Sequence, residues 1–153
     1  MSLTTEITII ALDENGKECF RYKAAGGYGD LAEILSGEAK MIKEGLLGML
    51  TEEEIEYYKF ENPWTDEEEW DDKRIKIKDP KKLLNIFNKI KEHYIQYELK
   101  EWYKKDIERN NDNWMLSYIR SKVNVLVELG KMIGILELAA QNNCKIKAFM
   151  PVW

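Results

Sequence analysis

The most strongly patterned part of the chain is residues 113–141, where apolar side chains recur at helical spacing. At about 100° per residue, Trp114, Tyr118, Val125 and Leu129 fall on one side of a helix, and most of the remaining girth is also apolar. A helix that is apolar around most of its circumference is buried on several sides. We therefore predict a central core helix, roughly 40 Å long, with the other elements packed around it.

A second helical pattern precedes this one. Asp79 and Pro80 place a capping side chain and a proline where a helix begins. The apolar stripe that follows runs from Leu83 to Tyr97 and then drifts around the helix as far as Ile107. A stripe that rotates in this way predicts a bend or a change of packing partner along one long helix. An asparagine-rich turn then leads into the central helix, so the two are predicted to form an antiparallel hairpin.

Short β-branched or alternating stretches predict the strands. Glu6–Leu12 and residues 19–23 flank an Asn-Gly turn, which favours a β-hairpin. Residues 74–78 alternate isoleucine with lysine or arginine, which predicts buried isoleucines and exposed basic side chains. Residues 144–150 predict a last strand, and Thr51 begins a capping box that predicts a short helix.

These elements predict an α+β fold. A small, mainly antiparallel sheet is expected to pack against the long antiparallel helical hairpin, with shorter helices added. The chain has 153 residues and is 44% hydrophobic, which is enough to bury a substantial core. We expect a single globular domain spanning residues 1–153.

Composition and charge narrow the functional classes. The net charge of −5 argues against general nucleic-acid binding, which requires a basic surface. No apolar run approaches the roughly 20 residues that cross a bilayer, and the first residues lack the features of a signal peptide. Cys19 and Cys144 are too few for a disulfide framework and are expected to be reduced thiols. We expect a cytoplasmic protein that binds neither membranes nor nucleic acid.

Charge is concentrated in one part of the chain. Residues 51–72 contain 11 acidic side chains and 1 basic one, and residues 73–82 contain 6 basic and 1 acidic. Like charges in one segment repel one another and weaken local order. Two tryptophans bracket the acids, and the segment comprises Trp64, Asp66, Glu67, Glu68, Glu69, Trp70, Asp71 and Asp72.

This acidic-aromatic segment, Trp64–Asp72, suggests a protein-binding loop. Tryptophans are common binding hot spots, and surrounding carboxylates steer a basic partner. The first functional hypothesis is therefore a small acidic interaction module with an inhibitor-like or immunity-like role. The simpler interpretation is that the acids face the lysines of residues 73–82 in the same chain, although exposed pairs of that kind contribute only about 0–1 kcal/mol each.

The alternative hypothesis is a small-ligand binder or enzyme with its pocket between the helical hairpin and the sheet. His93 is the only histidine, and no nucleophile elbow, zinc-binding helix or calcium-loop pattern accompanies it. The sequence therefore favours a protein without catalytic activity, metal or cofactor. Lys122 and Glu137 interrupt the apolar arc of the central helix and require partners if they are buried. The predicted pocket residues are His93, Tyr94, Tyr97, Trp102, Tyr118 and Glu137.

Overall fold

The structure is a computed structural model that describes residues 6–25, 29–36, 50–60, 75–109 and 113–150. The acidic-aromatic segment lies outside these residues, so its role as a protein-binding loop stays a prediction. The described residues form an α+β fold, as the sequence predicts.

The sheet has four strands in the order β2-β1-β4-β3, and each neighbouring pair is antiparallel. An Asn15-Gly16 turn joins β1 to β2, with Gly16 at a φ of +79°. The Asp13 side chain accepts hydrogen bonds from the backbone N–H groups of Asn15 and Lys17, at 2.9 and 2.8 Å, and closes the turn. The strands are β1 (Glu6–Leu12), β2 (Glu18–Ala25), β3 (Ile77–Lys78) and β4 (Lys145–Phe149).

Five α-helices are described: α1 (Gly29–Ser36), α2 (Glu52–Tyr58), α3 (Pro80–His93), α4 (Lys100–Glu108) and α5 (Asn113–Gln141). The predicted Thr51 capping box is confirmed, because Thr51 and Glu54 each accept the other's backbone N–H at 3.1 Å. Asp79 caps α3 by accepting from the Lys81 backbone N–H at 3.1 Å. The predicted starts of both helices are therefore correct.

A π-helical segment, Tyr94–Leu99, joins α3 to α4 without interrupting the helical path. The backbone N–H of Lys100 donates to the carbonyl of Ile95, five residues back. Such a turn holds one residue more than an α-helical turn, so it rotates every later side chain by about 100° around the axis. Tyr94 and Leu99 are both buried, although residues five positions apart do not share one face of a regular α-helix. This turn explains the drift of the apolar stripe.

The long helix α5 is the centre of the core. It packs along α3 and against β1, β2 and β4. The opposite face of the sheet carries a smaller apolar cluster of Ile10, Ile75 and Phe149. Most of the helices and strands contribute side chains to the core. Its largest fully buried side chains include Tyr58, Tyr94, Phe87, Phe149, Ile7, Ile9, Leu31 and Leu83.

The predicted alternation across residues 74–78 is wrong at its end. Ile77 is 53% exposed, whereas Lys78 is only 3% exposed. The Lys78 ammonium group donates to the backbone carbonyl of Lys59, and a buried charge is tolerated when it finds such a partner. Ile77 and Lys78 also form the short edge strand of the sheet, so the outer face of this strand meets solvent.

The described helices include none that is both long enough and apolar enough to cross a membrane. Even α5, with 29 residues, does not meet that description.

We predict that Leu129→Ala lowers the free energy of unfolding by about 2–5 kcal/mol, the usual cost of a cavity in a close-packed core. Leu129 is completely buried in α5, whereas Val127, two residues earlier, is half exposed. Val127→Ala is therefore the matched control and should cost much less. Urea unfolding measures both, and equal costs would contradict this placement of α5.

Candidate functional site

The candidate site is a group of aromatic and charged side chains at the end of the helical hairpin where α4 turns into α5. We call it the aromatic cluster and define it as Trp102, Trp114 and Tyr118 with the charged groups of Glu98, Lys105 and Lys122. The π-helical segment supplies Glu98, α4 supplies Trp102 and Lys105, and α5 supplies the others.

An ion pair fastens the two sides of the hairpin together. The Lys122 ammonium group lies 3.0 Å from Glu98 Oε1, and the indole N–H of Trp102 donates to the same oxygen at 3.2 Å. Lys122 is only 7% exposed, so its charge requires this compensation. The Tyr94 hydroxyl, which is also buried, donates to the backbone carbonyl of Lys122 at 3.0 Å. The π-helical segment is therefore held to the first third of α5.

Three aromatic rings line up outward from this ion pair. The centroids of Trp102 and Tyr118 are 4.2 Å apart, and those of Tyr118 and Trp114 are 5.8 Å apart. The Lys105 ammonium group lies 4.5 Å from the Trp102 centroid, and that of Lys122 lies 5.1 Å from Tyr118. These distances fall in the range of aromatic and cation–π attraction. The rings are thus fixed in place before any ligand binds.

His93 lies at the junction of α3 and the π-helical segment and is only 3% exposed. The ring of Tyr97 covers it, with the two centroids 4.5 Å apart. Burial lowers the pKa of His93, because it disfavours the charged imidazolium, and the negative charge of Glu98 partly opposes that shift. Within the described part of the chain, His93 Nδ1 is buried without a hydrogen-bond partner, as is Asp106 Oδ1.

Large apolar side chains are exposed at the hairpin end, among the charged side chains of α4. Trp114 is 58% exposed and Ile107 is 74% exposed. Scattered apolar side chains are normal on a protein surface, but a concentration of large ones marks an interaction site. The exposed members on the π-helical segment, α4 and the first turns of α5 are Ile95, Tyr97, Tyr103, Ile107, Trp114, Leu116 and Tyr118.

Among the six residues predicted for the alternative pocket, the ring of His93 contacts Tyr97 and that of Trp102 contacts Tyr118. Tyr94 is buried and bonds to the backbone of α5 at Lys122. Two details differ from the prediction. These side chains lie within the hairpin rather than between hairpin and sheet, and Tyr97 is on the surface because the π turn rotates it outward.

Glu137 does not join the group. It is exposed, and it lies 15 residues along α5 from Lys122, which is roughly 22 Å at 1.5 Å per residue. The helix surface at the nearby Gly130 and Gly134 is open, because side chains added there would meet nothing within 4 Å in the described part of the chain. The expected close packing of another element onto these glycines is therefore wrong. Glu137 needs no buried partner, whereas Lys122 does and has one.

Clefts elsewhere on the molecule do not involve the predicted pocket residues. One, of about 750 Å³, lies between β2 and α5 and is lined by Cys19, Phe20, Tyr22 and Ile135 among others. A smaller one lies where α3 begins, beside Asp79 and Cys144. A third lies beside the edge strand, at Tyr57 and Ile77. None of these three is lined by His93, Trp102 or Tyr118.

The sequence reasoning missed Glu98 and Lys105. Both have a local signal, because Glu98 lies four residues before Trp102 and Lys105 three residues after it, which are contact distances on a helix. The pairing of Glu98 with Lys122 has no such signal, because the two residues lie on different helical segments that are distant in the sequence. The described residues contain no group of three or more His, Cys, Asp or Glu side chains placed to hold a metal ion.

Comparison with protein-family models, with curated proteins and with solved structures found no match to this chain. Its function must therefore be argued from the geometry and the sequence.

We predict that Glu98→Ala destabilises the protein by about 3 kcal/mol, because it leaves the buried Lys122 charge without its carboxylate. This value is at the low end for such a change, since Glu98 itself is partly exposed. The double variant Glu98→Ala/Lys122→Met should be more stable than Glu98→Ala alone, because it removes the charge as well. Chemical unfolding of the single and double variants tests this. A double variant less stable than Glu98→Ala would show that the ion pair is not the dominant interaction of Lys122.

A second prediction follows from the lowered pKa of His93. Below its ordinary pKa of 6.5, the unfolded chain takes up a proton that the folded protein resists. Stability should therefore fall as the pH drops from 7 to 5, by at most about 1.4 kcal/mol per pH unit from this group. His93→Gln should show a shallower fall in urea unfolding across the same pH range. Parallel pH profiles for the two proteins would contradict the prediction.

Proposed function

We propose that this protein is a protein–protein interaction module that binds through the aromatic cluster and the apolar surface around it. The observation that carries the proposal is the row of Trp102, Tyr118 and Trp114, which is fixed on its inner side by the Lys122–Glu98 pair and exposed on its outer side. The proposed partner is a protein with an apolar patch beside a basic surface.

The composition of this surface supports a protein partner. Tryptophan and tyrosine dominate binding hot spots, because each buries a large area and few torsion angles are immobilised on binding. Trp114 and Tyr118 lie one helical turn apart on α5, with nearly parallel rings. A row of this kind suits an apolar helix or ridge on the partner. Preorganised rings also reduce the entropy lost on association.

The acidic-aromatic segment supplies the second part of the proposal, and its support comes from the sequence alone. Trp64 and Trp70 are further candidate anchors, and the carboxylates between them favour a basic partner through long-range attraction. An inhibitor-like role against a basic protein is consistent with this charge. Contacts made by the apolar surface would then slow dissociation, and attraction by the acidic segment would speed association.

A small ligand bound at His93 is the second candidate function. The observation that favours it is the buried His93 Nδ1, which has no hydrogen-bond partner in the described part of the chain. Buried polar atoms are usually satisfied, and π-helical turns are frequent at functional sites. A ligand offering one hydrogen-bond donor or acceptor would satisfy His93.

The test uses the unmodified chain and its variants as bait and compares the proteins that each one captures from lysate of the native host. Trp114→Ala/Tyr118→Ala should lose the proteins that the unmodified chain retains, because the outer rings are gone. Ile77→Ala is the matched control, since it also removes an exposed apolar side chain, but from the edge strand. It should retain them. Circular dichroism and thermal unfolding establish that each variant is folded.

The acidic segment is tested separately with Glu67→Gln/Glu68→Gln/Glu69→Gln. This triple variant should associate more slowly with the captured protein at low salt and at the same rate as the unmodified chain at high salt, where charges are screened. Surface plasmon resonance measures both rates. The proposal fails if the same proteins are captured by Trp114→Ala/Tyr118→Ala as by the unmodified chain.

A further inference from the structure

The cleft between β2 and α5 has a volume of about 750 Å³, which falls within the roughly 300–1,000 Å³ of small-molecule sites. Its walls are largely apolar. Ile135 is almost completely buried, Phe20 is half-buried and Leu138 is 44% exposed. The β2–α5 cleft therefore offers a ligand a surface against which an apolar body can be withdrawn from water.

Gly134 lines this cleft from the interior of α5. Glycine is a poor helix former, so a glycine inside a helix usually reflects a positive φ or the close approach of another group. Gly134 has no positive φ, and a side chain added there would meet nothing within 4 Å in the described part of the chain. The missing side chain instead keeps the β2–α5 cleft open along the surface of α5.

The charged residues that line the β2–α5 cleft in the described part of the chain are both basic, Arg21 and Lys131. Their acidic partners do not line it: Arg21 pairs with Glu18 at 2.7 Å, and Lys131 pairs with Glu128 at 3.5 Å. The Tyr22 hydroxyl also donates to Glu128 and holds that carboxylate in place. The cleft thus combines apolar walls with positive charge, and this combination complements an amphipathic anion.

The position of Lys131 indicates the shape of such a ligand. The lining residues of α5 run from Lys131 to Leu138, which is roughly 10 Å at 1.5 Å per residue. The ammonium group therefore lies toward one end of an elongated apolar surface. Its side chain is 60% exposed, and an ammonium group has three N–H donors. The 3.5 Å contact with Glu128 is too long for a strong hydrogen bond, so Lys131 can also donate to an anion in the cleft.

We propose that the β2–α5 cleft binds a fatty-acid-like ligand, an unbranched apolar chain that ends in a carboxylate. The chain lies along the apolar walls and over the open helix surface at Gly134, and the carboxylate accepts a hydrogen bond from the Lys131 ammonium group. Burial of the chain supplies most of the affinity, and the charge-assisted hydrogen bond fixes the orientation. This site is separate from the aromatic cluster, and the proposal does not depend on the protein-binding function.

The first test titrates the purified protein with decanoate, below its micelle concentration, by isothermal titration calorimetry. The matched ligand is 1-decanol, which has the same chain without the carboxylate. It should bind about tenfold more weakly, a typical loss for one hydrogen bond to a charged group. Lys131→Gln should weaken decanoate binding by a similar factor and leave the affinity for 1-decanol nearly unchanged.

The second test fills the cleft from α5. Gly134→Leu should abolish decanoate binding, because the new side chain occupies the open space over the preceding turn. Gly130→Leu is the matched control, since its surroundings are equally open but it does not line the cleft. Its side chain leans toward the turn before it, away from the cleft, so binding should remain. Neither variant should lower the melting temperature, because leucine favours a helix more than glycine does.

Cys19 reports where the ligand binds. Its thiol is exposed and lines the β2–α5 cleft, whereas Cys144 is buried. Decanoate should therefore slow the alkylation of Cys19 by iodoacetamide, measured by intact mass spectrometry. The same protection should appear in Trp114→Ala/Tyr118→Ala, which lacks the outer rings of the aromatic cluster. Protection in that variant separates this site from the surface proposed to bind a protein.

Four results would overturn the proposal. Absence of decanoate binding, or binding that survives Gly134→Leu, would show that the β2–α5 cleft is not the site. Binding that leaves the alkylation rate of Cys19 unchanged would place the ligand elsewhere. Equal affinities for decanoate and 1-decanol would show that the cleft does not recognise a carboxylate.

Discussion

The burial of α5 on several sides is the constraint on which the rest of the structure depends. Apolar side chains surround most of its circumference, and the sheet alone cannot cover them. The strands β1, β2 and β4 therefore cover one side of α5, and α3 covers another. Toward its first turns the covering element is the π-helical segment and then α4. The sheet, the hairpin and the aromatic cluster are thus successive contacts along one helix, and hydrophobic burial supplies the main driving force for all of them.

The π-helical segment connects this packing to the candidate site. If α3 and α4 formed one regular α-helix, the stripe that contains Phe87 and Tyr94 would continue through Tyr97, and Leu99 would turn outward. The additional residue in the π turn buries Leu99 instead and leaves Tyr97 exposed. It also faces Glu98 toward Lys122, whose charge has no other acidic residue nearby on its own helix turn. The π turn and the buried ion pair are therefore linked, and together they place Trp102 against Tyr118.

The hairpin end offers exposed aromatic rings among the many charged side chains of α4, in keeping with the proposed recognition of another protein surface. This arrangement depends on an irregularity in a regular element, the π turn. Such a turn places side chains where an ideal helix would not.

The sequence by itself determined what local physics controls. The 3.6-residue repeat of α5, the Asp79-Pro80 start of α3, the Thr51 capping box and the Asn-Gly turn each depend on residues close together in the chain, and the α+β fold class followed from them. Only the tertiary structure decided that Lys122 is paired with Glu98, that Glu137 is exposed, and that Lys78 is buried and Ile77 is not. Each of these depends on which distant segment covers the residue. Periodicity shows that a side chain lies on an apolar face, but it does not show where along that face the covering element ends.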